Sequence, residues 1–217
     1  MNDQITVTYF GGVNNRASVM RAILSYAKAT FTNKAVSQEE WGPLKSSGAY
    51  EYGQMPGVEV NGKMHVQTVA TEFYLGRKFG LVGDNQEDEY HILSLLCSRE
   101  DLYAKSTSVM YLWVEENTKN LEANLKDFGE NTLPGFLKCW ENRVVAKKGK
   151  YILGDKFSLE DILMCVWLNN LIYNNYRQAA LVPVLEKFPK LKSYIDSIAA
   201  NELSEYFAKY HVKDAML

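Results

Sequence analysis

The sequence has no excess of either charge, no apolar run long enough to cross a bilayer, and too few cysteines and histidines to build a disulfide framework or a metal centre. Lys and Arg number 24 against 26 Asp and Glu, a formal charge of −2, so the basic footprint that a nucleic-acid or anionic-membrane partner requires is missing. No run of about 18 apolar residues occurs, which excludes a membrane-spanning helix read from hydropathy. The opening "MNDQITVTYF" has neither the basic nor the apolar region of a secretory leader, so a cytoplasmic location is the expectation. Cys97, Cys139 and Cys165 are odd in number and scattered, with no C-x-x-C. They read as small core residues of a protein in a reducing compartment. His65, His91 and His211 share no ligand-like spacing, and no metal is expected. Neither repeats nor low-complexity segments are visible.

What is present is an ordinary globular composition over 217 residues, 47% hydrophobic and 23% charged, long enough for two domains. The first 80 or so residues alternate strand and helix signals. "ITVTYF" suits a short strand. "RASVMRAILSYAKA" brings Val19, Ala22, Ile23 and Ala27 to one helical face, with Arg16, Arg21 and Lys28 elsewhere on the surface. A second strand with a short irregular segment is expected over about Phe31 to Lys45. "GVEV" and "KMHVQ" flank Asn61-Gly62, the pair that best supplies the two positive φ values of a type I′ hairpin turn. A helix over "TVATEFYLGRKFG" follows.

A composition shift near Leu81 to Glu87 marks a linker, after which strand signals give way to long amphipathic patterns. "FSLEDILMCVWL" is a well-marked helix start. Ser158 and Asp161 form a variant capping box, and Phe157 and Ile162 stand at the hydrophobic-staple positions.

The stretch "MPGVEVNGKMHVQT" carries the chemistry. A proline opening a strand can hold a cis bond and turn the Met55 backbone toward an extended, peptide-like ligand. Gln67 and Thr68 fall where the hairpin enters a helix, whose first-turn amides favour a carboxylate. Together they suit a short acidic peptide. The same residues would equally serve a plain turn followed by a helix cap, and the residues alone leave both readings open.

Taken in order, "TYFGGVNNRASVMRAIL", "EEWGPLK", "YGQMPGVEVNG", "VQTVATEFYLGRKFGL" and "YILGDKFSLEDIL" resemble the glutathione S-transferases, most closely the sigma class, over essentially the whole chain. The resemblance implies an α/β thioredoxin-like N-terminal domain (β-α-β-α-β-β-α, residues 1–82) that binds glutathione. An all-α helical bundle (residues 83–217) would form the hydrophobic second-substrate site. It implies Tyr9 as the catalytic group, stabilising the glutathione thiolate, and Trp41 and Lys45 at the glycine end. Gln54, Met55 and Pro56 would then meet the cysteinyl part, and Gln67 and Thr68 the γ-glutamyl carboxylate. Phe10, Val13, Arg16, Met110, Tyr111 and Trp113 would border the electrophile.

Glutathione is implied as cosubstrate with no tightly bound cofactor, together with a small apolar electrophile and a homodimer. The loop "GGVNNRAS" is one residue longer than the family pattern, and Ser18 stands where relatives often have an acid. The family's partner-subunit acid falls near Cys97, Glu100 and Asp101 and is left unassigned. Conjugation is the leading expectation. The alternatives are a glutathione-dependent prostaglandin isomerase or peroxidase of the same class, or a non-catalytic ligand-binding or structural relative.

Overall fold

The structure is a computed structural model that describes residues 3–147 and 149–212. Strand β1 (Ile5–Phe10) leads through a short 3-10 turn into helix α1 (Ser18–Tyr26), then β2 (Thr32–Val36) and α2 (Gln38–Ser46). A hairpin of β3 (Gly57–Val60) and β4 (Lys63–His65) precedes α3 (Thr68–Lys78). This is the β-α-β-α-β-β-α order of a thioredoxin-like domain. Among the described residues the strands form one sheet ordered β2-β1-β3-β4, with β1 parallel to β2 and antiparallel to β3. Ile5, Val7 and Tyr9 alternate along one face of β1 and are buried, as a period-two strand over a core requires. The hairpin turn has Asn61 at φ 52° and Gly62 at φ 82°, both positive as the type I′ turn demands.

The segment read as a strand with an irregular tail resolves into β2 and a full helix. Helix α2 starts at a capping box: the Ser37 hydroxyl accepts from the Glu40 N–H at 3.2 Å, and the Ser37 N–H donates to Glu40 Oε2 at 2.7 Å. "SQEE" carried that signal in the sequence.

The rest is helical: α4 (Gln86–Met110), α5 (Glu115–Lys119), α6 (Leu121–Asp127) and α7 (Leu133–Ala146), the last two joined by a π-helical turn. Then come α8 (Leu159–Ile172), α9 (Gln178–Leu185), α10 (Pro189–Ala200) and α11 (Ser204–Tyr210). Every residue of α8 is buried, because it packs against α1, α4 and α10. It is the axle on which the sheet domain and the bundle meet. Gly76 of α3 makes that contact possible, since a Cβ there would lie 2.8 Å from Leu159 Cδ2.

The start of α8 is capped as the sequence indicates. Asp161 Oδ2 accepts from the Ser158 N–H and hydroxyl, each at 2.8 Å, while Oδ1 accepts from Tyr194 Oη at 2.5 Å and the Ile152 N–H at 3.2 Å. Phe157 and Ile162 are both buried beside it. Asp161→Ala is expected to cost about 3 kcal/mol, a lost cap plus stranded buried donors, read as a lower urea midpoint at unchanged slope.

Two readings from the sequence are corrected. Of the cysteines only Cys165 is buried, whereas Cys97 and Cys139 are exposed. Their buried neighbours Leu96 and Trp140 take the inward positions, and one residue along a helix is a rotation of about 100°. Arg21, expected on the surface, is 5% exposed. Its Nε donates to Asn33 Oδ1 and its Nη1 to the Val13 carbonyl, both at 2.9 Å, which ties the loop after β1 to the sheet.

Candidate active site

A cleft of about 880 Å³ opens beyond the carboxyl end of β1, between the sheet domain and the bundle. Size and placement are those of a small-molecule site at the edge of an α/β sheet. Its walls converge from separate elements: Tyr9 and Phe10 from β1, Trp41 from α2, Gln54 to Pro56 from the loop before β3, and Gln67 and Thr68 at the start of α3. The bundle supplies Glu100 and Tyr103 from α4 and Tyr111 and Trp113 from the turn after it.

Tyr9 is 5% exposed. Burial pushes its phenol well above the usual range, with Tyr103 adding to the effect and Arg16 opposing it. The hydroxyl therefore keeps its proton throughout the neutral range. A protonated phenol that lines the cleft can donate its hydrogen to a bound group.

Across the cleft the Met55-Pro56 peptide bond is cis. Gln67 caps α3 with φ 70°, and its Nε2 donates to Gln54 Oε1 at 3.3 Å. Thr68 is buried, and its hydroxyl accepts from Arg16 Nη1 at 3.3 Å. Trp41 is braced edge-on by Phe10 and Tyr50, with ring centroids 6.5 and 5.0 Å away.

The comparisons with known proteins speak to the same chain. The family model for the C-terminal domain of glutathione S-transferases matches residues 100–210. Glutathione S-transferase P of Bos taurus is 30% identical over 88% of this chain and 84% of its own length. The chain belongs to the glutathione S-transferase family. Glutathione S-transferase 2 of Manduca sexta is 28% identical over 92% of this chain and 98% of its own. Among solved structures, a nematode-specific transferase of C. elegans superposes with a TM-score of 0.79 at 25% identity, covering 97% of this chain and 98% of that one. The sigma-class transferase of Fasciola hepatica superposes with a TM-score of 0.80 at 25% identity, covering 96% and 97%.

Of the residues singled out from this transferase's sequence, Tyr9, Phe10, Val13, Arg16, Trp41, Gln54, Met55, Pro56, Gln67, Thr68, Tyr111 and Trp113 all line the one cleft. Two do not. Met110 is a correction: it is 2% exposed, and its sulfur accepts from Ser106 Oγ at 3.0 Å inside the core. The helix ends at Met110, and the chain turns at Tyr111, with φ −88° and ψ 71°, so that Tyr111 and Trp113 line the cleft while Leu112 is buried. Lys45 is exposed and outside the lining, its stem passing beside Gly53.

Sequence reasoning assigned no role in the transferase to Asn15, Glu100 or Tyr103, although all three line the cleft. Glu100 Oε2 pairs with Arg16 Nη2 at 2.9 Å, while Glu100 Oε1 meets Arg99 Nε at 2.9 Å. Burial works against the charge on Arg16, but Glu100 outweighs it and holds the guanidinium firmly protonated. The usable signal was the i, i+3 spacing of Glu100 and Tyr103, which places both on one side of α4.

Proposed function

We propose that this transferase binds glutathione as an extended tripeptide along the cleft and conjugates its thiolate to small apolar electrophiles. The observation that carries this reading is Tyr9: a buried phenol that lines the cleft and that burial keeps protonated, so that its hydrogen can be given to a sulfur. In this reading Trp41 and Lys45 meet the glycine carboxylate, the exposed Lys45 swinging in from beside Gly53. Gln54 and the Met55 backbone hold the cysteinyl unit. Gln67 and Thr68, with the α3 N-terminus behind them, receive the γ-glutamyl carboxylate.

Phe10, Val13, Tyr111 and Trp113 form the apolar wall for the second substrate. The ring of Tyr111 lies 4.3 Å from that of Trp113, a paired aromatic surface suited to a flat electrophile. Arg16, placed with the second-substrate residues on sequence grounds, is better used at the junction of the two halves, between Thr68 and Glu100.

The sigma-class assignment is proposed on the sequence blocks and is in keeping with the likeness to the Fasciola hepatica structure. Residues 1–82 and 83–217 are proposed as the glutathione-binding and second-substrate domains. Tyr74 of α3 and Tyr90 and Leu93 of α4 are apolar side chains at least 36% exposed, a face suited to a homodimer contact. No helix among the described residues is long and apolar enough to cross a membrane, in keeping with the proposed cytoplasmic location.

Calorimetric titration with glutathione tests the binding half. Thr68→Val, which keeps the shape and deletes the hydroxyl, is expected to weaken binding about tenfold, the value of one hydrogen bond to a charged group. Unchanged affinity in Thr68→Val, or no binding by the wild type, would contradict the assignment.

A further inference from the structure

Helix α4 stops at Met110, and the short stretch after it carries two of the rings that line the cleft, Tyr111 and Trp113. A helix end leaves its last carbonyls without backbone donors. Here side chains from other elements supply them. The Ser108 carbonyl accepts from Asn124 Nδ2 at 3.3 Å, and the Val109 carbonyl from Arg177 Nη1 at 3.4 Å. Arg177 is fully buried, and its other nitrogens donate to the Asn170 and Leu171 carbonyls near the end of α8, at 3.0 and 2.9 Å. One guanidinium thus closes two helix C-termini, where a cation is favoured.

Asn117 of α5 spans the break itself. Its Nδ2 donates to the Thr107 carbonyl in the last turn of α4 at 3.3 Å and to the Tyr111 carbonyl beyond it at 3.0 Å. Both partners are acceptors, so only the NH2 side of the amide can face them, and each of its hydrogens has one place to go. The next residue, Thr118, gives its hydroxyl hydrogen to the Leu112 carbonyl at 2.6 Å. The backbone on either side of the break is therefore pinned to α5. Trp113 is 55% exposed and depends on that backbone for its place.

We infer that Asn117 is a positioning residue that fixes the paired rings of Tyr111 and Trp113 as a platform for a flat aryl group, and so favours aryl over alkyl second substrates. This rests on the proposed function, in which those rings belong to the second-substrate wall. The ring centroids lie 4.3 Å apart, with the planes tilted by 34°. A flat ligand stacks on such a surface only while the rings keep their places, and a wall ordered in advance spares the ligand the cost of ordering it. A flexible alkyl chain follows whatever shape the wall takes. Its contacts survive a looser wall.

The test is calorimetric titration of the full chain with glutathione, S-(2,4-dinitrophenyl)glutathione and S-hexylglutathione. Asn117→Ala is expected to weaken binding of the dinitrophenyl conjugate about fivefold, the order of one aromatic contact, and to move the other two by less than about twofold. Asn117→Asp, which keeps the size but has no amide hydrogens, is expected to do the same. Thr118→Val, which removes one donor from the exposed neighbour, is expected to weaken the dinitrophenyl conjugate alone, by about twofold. A residue that served only the fold would weaken both conjugates together. Equal weakening of the two, or a dinitrophenyl conjugate held as tightly by the variants as by the wild type, overturns the inference while leaving the proposed function standing. So does a wild type that binds the dinitrophenyl conjugate no more tightly than glutathione. A wild type that binds none of the three overturns both.

Discussion

Tyr9→Phe is expected to lower kcat/KM for the conjugation of 1-chloro-2,4-dinitrobenzene about tenfold at pH 6.5, and the deficit is expected to close by about pH 7.6 and to reverse above it. A free thiol ionises near pH 8.5, and a phenol that lowers this by about two units supplies about 2.7 kcal/mol, within reach of one charge-assisted hydrogen bond. At pH 6.5 the loss of that bond cuts the thiolate fraction about fifty-fold. The more basic thiolate recovers about eight-fold in intrinsic nucleophilicity, for a net fall on the order of tenfold. As the pH rises, sulfur ionises without help, and with the roughly eight-fold gain in nucleophilicity the variant draws level at about pH 7.6 and runs ahead of the wild type above it. Tyr9 itself does not titrate in this range, because burial holds its proton. A deficit that stays constant from pH 6 to 9 would mean that Tyr9 acts on something other than thiol ionisation.

Arg99→Ala is expected to destabilise the fold by about 3–5 kcal/mol, the cost of stranding a buried charge. Glu72 of α3 is 0% exposed and is gripped by Arg99 of α4 through two hydrogen bonds, 2.7 Å to Oε2 and 3.2 Å to Oε1. Burial keeps the Glu72 carboxyl above its usual range against the pull of Arg99, so without the arginine the acid must take up a proton or draw in water. The loss corresponds to a melting temperature lower by about 10 °C for a chain of this size. Glu72→Leu with Arg99→Met, which removes both charges and keeps the volume, is expected to recover most of it. If the single variant melts like the wild type, the pair does not join the two domains as described. The same arginine touches Glu100, and through it Arg16, so the pair also buttresses the floor of the cleft.

Local signals made much of this legible in the sequence. Alternation in "ITVTYF", the Asn61-Gly62 turn and the Ser158–Asp161 cap each encode their structure within a few residues, and each is found where expected. That Met55, Pro56, Gln67 and Thr68 would meet at one place was legible too, because backbone geometry dictates their positions, and all four line the cleft.

What stayed hidden depends on which face a helix turns inward. Met110 and Tyr111 are adjacent, yet one is core and the other cleft, because the helix ends between them. Cys97 and Cys139 lie in apolar stretches but on outward positions. Arg21 reads as a surface residue until Asn33 and the Val13 carbonyl close around it. Glu100 and Tyr103 acquire meaning only when α4 is laid beside Arg16, 84 residues earlier for Glu100. No periodicity can announce a contact of that kind.

The measurement that tests the central claim most directly is a spectroscopic titration of the thiolate of glutathione bound to the wild type and to Tyr9→Phe. The account predicts an apparent pKa about two units below the free value of about 8.5 in the wild type, returning to near that value in the variant. A bound thiol that titrates at the same pH in both proteins would contradict it.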